Sequence, residues 1–178
     1  MYDPATPVPS LGYNTPGGKA DHDQRGIEAR HDVLVYSTPV LKQGVEATGP
    51  VEAVLYVSCS AKDTDFTAKL VDVYPDGRAF NIREGVARAR YREGFDRQVW
   101  MEPGSVYEVR VSLQVTGNYF AAGQRIRLEV SSSNFPRLER NLNTGGRNYD
   151  ETEWVVAENA IHHSAEHASH LVLPVVPP

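Results

Sequence analysis

The sequence predicts an all-β domain, a sandwich or jelly roll with very little helix. About eight to ten short apolar or alternating segments are separated by turn residues, which is typical of sandwiches. Only residues 119–123, YFAAG, have a pattern that favours a turn of helix. The 178 residues suit one domain with a substantial core, and no fixed-period repeat is present.

The predicted strands begin with short apolar segments. Residues 33–37 form the first, and residues 51–58, VEAVLYVS, are apolar on both faces, as in a central strand. The strand at 66–74 ends at Pro75-Asp76-Gly77, because proline fixes φ and glycine accepts a positive φ. The other predicted strands are 79–82, 86–91, 106–115, 124–130, 153–157 and 170–176.

Alternation in two strands predicts which side chains face the core, since successive residues of a strand point to opposite faces. The same logic makes Cys59, in the strand-like YVSCSA, a small core residue rather than a nucleophile. The side chains expected to point inward are Val109, Val111, Leu113, Val115, Ile126, Leu128 and Val130.

The first 32 residues differ from the rest. The stretch DPATPVPSLGYNTPGGKADHDQ is rich in proline and glycine and has no periodicity, as in an extended linker or a loop draped over another surface. We therefore expect two parts: a linker and extended loop at 1–32, and a β domain at 33–178.

Composition excludes some partners. The formal net charge of −5 provides no general attraction to nucleic acid or acidic membranes. No apolar run approaches the ~20 residues that span a bilayer. The start, MYDPATPVPS, lacks the features of a signal peptide, which favours a cytoplasmic location. We expect neither a nucleic-acid nor a membrane partner.

Catalytic signals are weak. The Gly-x-Ser-x-Gly elbow of α/β hydrolases is missing, and Ser105 in EPGSVYE enters a strand without the second glycine. No catalytic residue is therefore assigned, and the chain is expected to be inactive alone.

Two clusters raise the question of metal binding. The segment IHHSAEHASH holds His162, His163, His167 and His170, but it is short and runs into a strand, which favours a solvated loop over a zinc site. Asp63 and Asp65 lack the glycine and distal glutamate of a calcium loop, so a turn-forming role is favoured. We expect no metal and no cofactor.

One acid is placed unusually. Asp72 lies between Val71 and Val73 in an apolar strand, and a buried carboxylate needs partners. Arg88 or Arg90 on the neighbouring alternating strand is the expected partner. This predicts a structural salt bridge.

The polar stretch SSSNFPRLERNLNTGG at 131–146 follows a well-formed strand. Pro136 ends strand pairing, and asparagines tolerate left-handed φ, so an irregular structural corner is favoured over a direct domain or ligand contact. The residues expected to organise this loop or contact another domain are Asn134, Arg137, Arg140, Asn141 and Asn143.

The order of several long motifs resembles one family over nearly the whole chain. They are YDPATPVPSLG, DQRGIEARHDVLVYSTPVL, the segment from VEATGP to YREGF, GNYFAAGQRIRLEVSSSNFPRLERNLNTGG and HASHLVLPVV. The sequence looks like the C-terminal domain of the X-Pro dipeptidyl-peptidase, cocaine-esterase-like and α-amino acid ester hydrolase family of acyl esterases.

That resemblance implies a galactose-binding-like jelly roll without catalytic residues. It implies a preceding α/β-hydrolase domain as partner, on which the jelly roll packs to wall the active-site cleft and support assembly, including a possible homo-oligomer. In LGYNTPGG, it places Tyr13 and Asn14 toward the cleft.

Two other functions stay open. A stand-alone carbohydrate-binding module would need exposed aromatic side chains, for which Trp100, Tyr119, Phe120 and Tyr149 are candidates. Each also fits a core or edge role, and the core is favoured for most of them. A purely structural or oligomerisation domain is the other alternative. The sequence does not distinguish a peptidase parent from an esterase parent.

Overall fold

The computed structural model describes residues 1–11 and 23–177. These residues form a short helix, one 3-10 turn and eight strands. In chain order they are α1 (Arg25–Glu28), β1 (Leu34–Ser37), β2 (Val45–Cys59), β3 (Asp65–Val73), β4 (Ala79–Arg88), the 3-10 turn (Ala89–Tyr91), β5 (Tyr107–Phe120), β6 (Arg125–Ser131), β7 (Asn159–Ile161) and β8 (His170–Val172).

The strands form two antiparallel sheets. The first has the order β1-β6-β3-β4. In the second, β2 pairs with β5 along one edge and with both β7 and β8 along the other. The prediction of an all-β sandwich with very little helix is therefore confirmed.

The core lies between the sheets and is built from alternating residues of both. Phe66, Leu55, Leu70 and Phe120 are among its largest fully buried side chains. Cys59 is also buried there, as predicted. Six of the seven side chains expected to point inward are buried: Val109, Val111, Leu113, Ile126, Leu128 and Val130.

The prediction for Val115 is wrong. Its side chain is 61% exposed, and Thr116 is buried instead. Pro50 pairs with Val115 and Glu52 with Ser112, so β5 carries one residue more than β2 between these pairs. This β-bulge reverses the alternation beyond it, and Gln114 within it has a φ of 66°.

Several strand boundaries also differ from prediction. Residues 119–123 hold no helix, because β5 runs to Phe120 and a turn follows. Of 153–157, only Ala157 makes a bridge, to Tyr2. Strand β7 at 159–161 was not predicted. The strand predicted at 170–176 ends at Val172, shortly before Pro174, which has no N–H to donate.

The outer face of the first sheet is covered by the residues around α1. Ile27 and Val33 pack there with Val8, above a sheet surface that buries Lys69 and Glu129. Within the described ranges, no helix has the length and apolar character needed to span a bilayer.

The two long sides of the sandwich differ. On one side β4 and β5 lie so close that a Cβ at Gly85 would overlap the carbonyl oxygen of Ser112. On the other side β1 and β6 diverge from β7 and β8, and a cavity lies between them. One side is therefore closed by backbone contact and the other is open.

Candidate domain-contact site

Two buried acid–arginine pairs lie at one end of the sandwich. Asp63 precedes β3 and Asp65 begins it, while Arg88 ends β4 and Arg90 lies in the 3-10 turn. Arg88 Nε and Nη2 donate to the two carboxylate oxygens of Asp65 at 2.8 and 2.9 Å. Arg90 donates to Asp63 through its backbone N–H at 2.9 Å and through Nε at 2.8 Å. These bidentate contacts fix where β4 ends relative to β3.

Asn141 joins the two pairs. Its fully buried amide nitrogen donates to Asp63 Oδ2 at 2.7 Å and to Asp65 Oδ1 at 2.8 Å. One side chain from the 131–146 loop thus satisfies both carboxylates. Asp63, Asp65, Arg88, Arg90 and Asn141 are called the acid–arginine network below.

Burial affects the electrostatics of this network. It raises the pKa of the Asp65 carboxyl, while the hydrogen bonds from Arg88 and then Asn141 act in the opposite direction. The two donors therefore compensate an acid that would otherwise be costly to ionise. All four carboxylate oxygens of Asp63 and Asp65 accept hydrogen bonds from protein groups. The network therefore has the geometry of a structural support.

The loop backbone is shaped around Asn141. Asn143 has a left-handed φ of 63°, and its N–H donates to Asn141 Oδ1 at 2.9 Å. Its side-chain nitrogen donates to the carbonyl of Val155 at 2.7 Å. Arg90 Nη1 donates to the carbonyl of Gly146 at 2.9 Å. The network, together with Asn143, therefore fixes the segment from 140 to 156 near its start, at Gly146 and near its end.

The N-terminal residues are tied to the same loop. The hydroxyl of buried Tyr2 donates to the carbonyl of Asn141 at 3.1 Å, and burial raises the pKa of that hydroxyl. Val8 N–H donates to Ser133 Oγ at 2.8 Å, and Arg140 Nη1 donates to the carbonyl of Pro4 at 2.6 Å. The described part of the 1–32 segment thus lies against the sandwich and is bonded to it.

The other predicted loop residues lie apart from the network. Arg137 forms an ion pair with Glu84 of β4. Asn134 is buried, its carbonyl accepts the N–H of Leu138, and the Phe135–Pro136 peptide bond that follows it is cis. The structure therefore places Arg140, Asn141 and Asn143 together and separates Asn134 and Arg137 from them. Tyr13 and Asn14 lie outside the described residues.

The partner predicted for Asp72 is wrong. Arg88 and Arg90 are both bonded to the acids at the other end of the strand. Asp72 is buried beside Phe80 and Ile126, and burial raises the pKa of its carboxyl to about 6. Arg88 pairs with Asp65 at the start of β3, seven residues before Asp72, whose partner on β4 is Phe80.

The histidine segment forms a tight hairpin between β7 and β8. His163 and Ala168 make a bridge, and His163 Nε2 lies 3.0 Å from the hydroxyl of Tyr36. His162 Nε2 lies 2.9 Å from Ser58 Oγ. The described residues contain no group of three or more histidine, cysteine or acidic side chains arranged to hold a metal ion.

Five large apolar side chains are exposed on the segments beside the network. Phe95 is 92% exposed and Tyr149 is 81% exposed, while Trp100, Trp154 and Val156 are each exposed by more than a third. These five side chains are called the loop-end patch. Trp100 lies beneath the guanidinium of Arg90, at 5.2 Å, and Val155 N–H donates to the carbonyl of Leu142 at 3.0 Å. The segments that carry the patch are thus anchored by the buried network.

This patch was not predicted from the sequence. The sequence predicts a strand for Trp154 and Val156. It offers Trp100 and Tyr149 as candidate exposed aromatic side chains, but it favours a core position for most such candidates. Whether these side chains are exposed depends on the tertiary contacts of the loop. The alternation of apolar and polar residues in the sequence does not report those contacts. The available signal was the apolar cluster EWVVA directly after a long polar loop.

Comparisons with known proteins agree with this architecture. Residues 2–172 match the family described as "X-Pro dipeptidyl-peptidase C-terminal non-catalytic domain". The chain is 52% identical to a cocaine esterase from Rhodococcus sp. (strain MB1 Bresler) over 99% of its own length and 32% of that protein. It is 27% identical to a putative serine esterase from Mycobacterium bovis (strain ATCC BAA-935 / AF2122/97), over 88% of its own length and 26% of that protein.

Solved structures show the same fold. An α-amino acid ester hydrolase matches with a TM-score of 0.90 and 28% identity, over 98% of this chain and 31% of that one. An aminopeptidase from a marine sediment archaeon, Thaumarchaeota archaeon, matches with a TM-score of 0.88 and 29% identity, over 98% and 32%. The chain spans between about a quarter and a third of the relatives it matches. It belongs to the family of X-Pro dipeptidyl-peptidase C-terminal non-catalytic domains.

Proposed function

We propose that this chain is the non-catalytic domain of a serine hydrolase and packs on a preceding α/β-hydrolase domain through its loop-end patch. The relatives that it matches are described as a cocaine esterase, a serine esterase and an α-amino acid ester hydrolase. Each is about three to four times as long as the matched region, as the 26–32% coverage implies. The remaining length leaves room for the catalytic domain.

The observation that carries this proposal is the combination of a rigid support with exposed aromatic side chains. Large exposed apolar side chains grouped on a soluble domain are typical of an interaction site. Phe95, Tyr149 and Trp154 are large aromatic side chains of the kind that anchor interfaces. The acid–arginine network below them lowers the entropy cost of presenting these side chains in one arrangement.

The N-terminal residues, which are hydrogen-bonded to the sandwich, indicate where a preceding domain would lie. Tyr2 is hydrogen-bonded to the backbone of Asn141 and Ala157, next to the segment that carries Trp154 and Val156. A domain joined ahead of residue 1 therefore emerges beside the loop-end patch. We infer that residues 1–32 include the connection and that Tyr13 and Asn14 approach the cleft of the preceding domain.

A sugar-binding platform has less support. Phe120 is buried in the core, and Tyr119, paired with Glu46, lies at the opposite end of β5 from Tyr107. The Trp100 ring has two cationic neighbours, Arg90 at 5.2 Å and Lys62 at 5.5 Å from its centroid. The four aromatic candidates thus do not share one open surface.

Limited proteolysis of the full-length protein tests the proposal. The double substitution Tyr149→Ser and Trp154→Ser removes two anchors, so we expect release of this domain at the linker at least tenfold faster. Tyr119→Ser, at a 63% exposed tyrosine outside the patch, is the matched control and should leave the rate unchanged. Equal release from all three proteins would refute docking through this patch.

A further inference from the structure

We propose that the free edge of β1 binds an extended peptide of a partner protein as an added strand, with one large apolar side chain of that peptide held between the two sheets. Within the described residues, β1 pairs with β6 along one edge, and no strand pairs with its other edge. None of the five side chains of the loop-end patch lines the cavities beside β1. This interaction therefore goes beyond the proposed docking function.

The backbone groups of Val35 and Ser37 point toward the free edge. Thr38 N–H donates to the carbonyl of Ile126 at 3.0 Å, so the residues at 34, 36 and 38 are the ones that bond to β6. Bonded and unbonded positions alternate in an antiparallel pair, which turns the N–H and C=O groups of Val35 and Ser37 away from β6. A strand edge with unpaired backbone groups is a template for another strand.

Two cavities lie along this edge, between the sheets. The larger, of about 270 Å³, is lined by Tyr36, and the smaller, of about 60 Å³, is lined by Leu34. Ile161 of β7 lines both. Leu34 and Tyr36 lie two residues apart, which is ~6.6 Å along a strand and places both side chains on one face. The two residues opposite them on an added strand therefore point toward the two cavities.

The larger cavity suits an uncharged, apolar side chain. Each polar side chain that lines it already has a hydrogen-bond partner within the protein, as His163 Nε2 has in the Tyr36 hydroxyl at 3.0 Å. An apolar cavity of ~150 Å³ holds a benzene ring, so this larger space takes a leucine or phenylalanine side chain. Its apolar lining consists of Leu55, Ile126, Leu128, Ile161 and Leu171.

The smaller cavity suits a serine side chain. Its volume of about 60 Å³ is that of roughly two water molecules. Asn159 lines it, and the side-chain nitrogen of Asn159 donates to Thr64 Oγ1 at 3.0 Å and to Ser132 Oγ at 2.8 Å. The buried Oδ1 atom of Asn159 has no hydrogen-bond partner among the described residues. A serine hydroxyl supplies the missing donor.

The positions of the two cavities predict the order of the two peptide side chains. All strand pairs of the first sheet are antiparallel, and an antiparallel addition continues that pattern. The peptide residue opposite Tyr36 then comes two positions before the residue opposite Leu34. We therefore expect the order phenylalanine or leucine, any residue, serine. The middle residue exchanges both of its backbone hydrogen bonds with Val35.

A second copy of this chain does not supply these side chains through its own β1. The inward-facing Tyr36 of that copy is already hydrogen-bonded to His163 within its own sandwich. The inserted side chain must therefore come from a segment that is free to extend along the edge. A segment of the preceding domain and a second copy are the competing occupants that the experiment separates.

Fluorescence anisotropy of the labelled peptide Thr-Thr-Phe-Thr-Ser-Thr-Thr, titrated with the full-length protein, tests the proposal. We expect saturable binding that is at least tenfold weaker when alanine replaces the phenylalanine. N-methylation of the threonine between phenylalanine and serine removes a backbone donor and should also weaken binding at least tenfold. The peptide with phenylalanine and serine exchanged should bind at least fivefold more weakly.

Val35→Pro tests the strand edge from the side of the protein. It removes the N–H that faces the free edge and leaves the bonds to β6 in place, as proline does on edge strands. Binding should weaken at least tenfold, whereas the matched control Val35→Thr keeps the N–H and should bind normally. If Val35→Pro fails to fold, Leu171→Trp fills the larger cavity and should have the same effect. Its control is Leu173→Trp, because Leu173 packs on the core without lining the cavity.

Three results would overturn the proposal. The first is peptide binding that does not saturate, or that is unchanged in folded Val35→Pro and Leu171→Trp. The second is saturable binding to this chain but not to the full-length protein, since the preceding domain then occupies the edge. The third is a full-length protein that sedimentation shows to be an oligomer and that Val35→Pro dissociates, since the occupant is then a second copy.

Discussion

The side-chain amide of Asn141 lies 2.8 Å from Asp65, a buried carboxylate that is also bound by Arg88. The same amide nitrogen donates to Asp63 at 2.7 Å. The 131–146 loop thus donates hydrogen bonds to the two carboxylates at the start of β3. Those carboxylates in turn bind the arginines at the end of β4. A single uncharged side chain connects a surface loop to β3, one of the two central strands of the first sheet.

Asn141→Ala should destabilise the domain by about 3 kcal/mol or more, because hydrogen bonds to charged groups contribute about 1.5–3 kcal/mol each and two are lost. Urea unfolding measures this change. Asn159→Ala is the matched control, since its amide also donates twice, but to the uncharged hydroxyls of Thr64 and Ser132. A loss of about 1–2 kcal/mol is expected there. Equal losses for the two variants would contradict a special role for Asn141.

Asp72 should make the domain less stable as pH rises through the acid range. Its pKa is raised by burial from 3.8 to about 6, so the folded state holds the proton more tightly than the unfolded state. That contribution is complete below pH 3.8 and is lost as pH rises toward 6. Relative to Asp72→Asn, the wild type should lose roughly 1–3 kcal/mol across this window.

Thermal unfolding of both proteins at pH 4, 5, 6 and 7 provides the check. Asp76→Asn is the control, because Asp76 is exposed and Arg78 lowers the pKa of its carboxyl, so its effect has the opposite sign. A constant difference between wild type and Asp72→Asn over the whole range would show that Asp72 titrates normally.

Glu129 should produce a second loss of stability at higher pH. Burial raises the pKa of its carboxyl from 4.5 to about 8, with Lys69 opposing the rise and Glu28 adding to it. Stability is therefore lost as pH rises from 4.5 through 8, and Glu129→Gln should flatten this dependence. Amide exchange of residues 23–33, which cover this face, should quicken between pH 7 and 9 after correction for intrinsic rates. A steeper pH dependence in Glu129→Gln would contradict this account.

Much of the fold could be predicted because alternation reports burial directly. Val109, Val111 and Leu113 face the core as their spacing requires, and the turn at Pro75-Asp76-Gly77 has a glycine with a φ of 87°. Val115 could not be placed, because the bulge in β5 depends on how β2 pairs with it. Strand pairing is a long-range property that a local pattern does not contain.

The site was harder to predict from the sequence than the fold. Composition drew attention to Asn141 and Asn143 in a polar loop, but the contact of Asn141 with Asp65 spans 76 positions in the chain. The predicted partners of Asp72 are wrong for the same reason, since strand register decides which arginine meets which acid. The sequence EWVVA at 153–157 suggests a strand, although residues 153–156 are exposed and lie outside the strands.

Hydrogen–deuterium exchange of this chain alone and within the full-length protein is the most direct test of the central claim, that the loop-end patch docks on a preceding domain. We predict that amides at 94–101 and 147–156 are protected at least tenfold more in the full-length protein, while those at 110–114 of β5 exchange equally in both forms. Unchanged exchange at 94–101 and 147–156, with new protection elsewhere, would contradict the account and would place the domain contact on another surface.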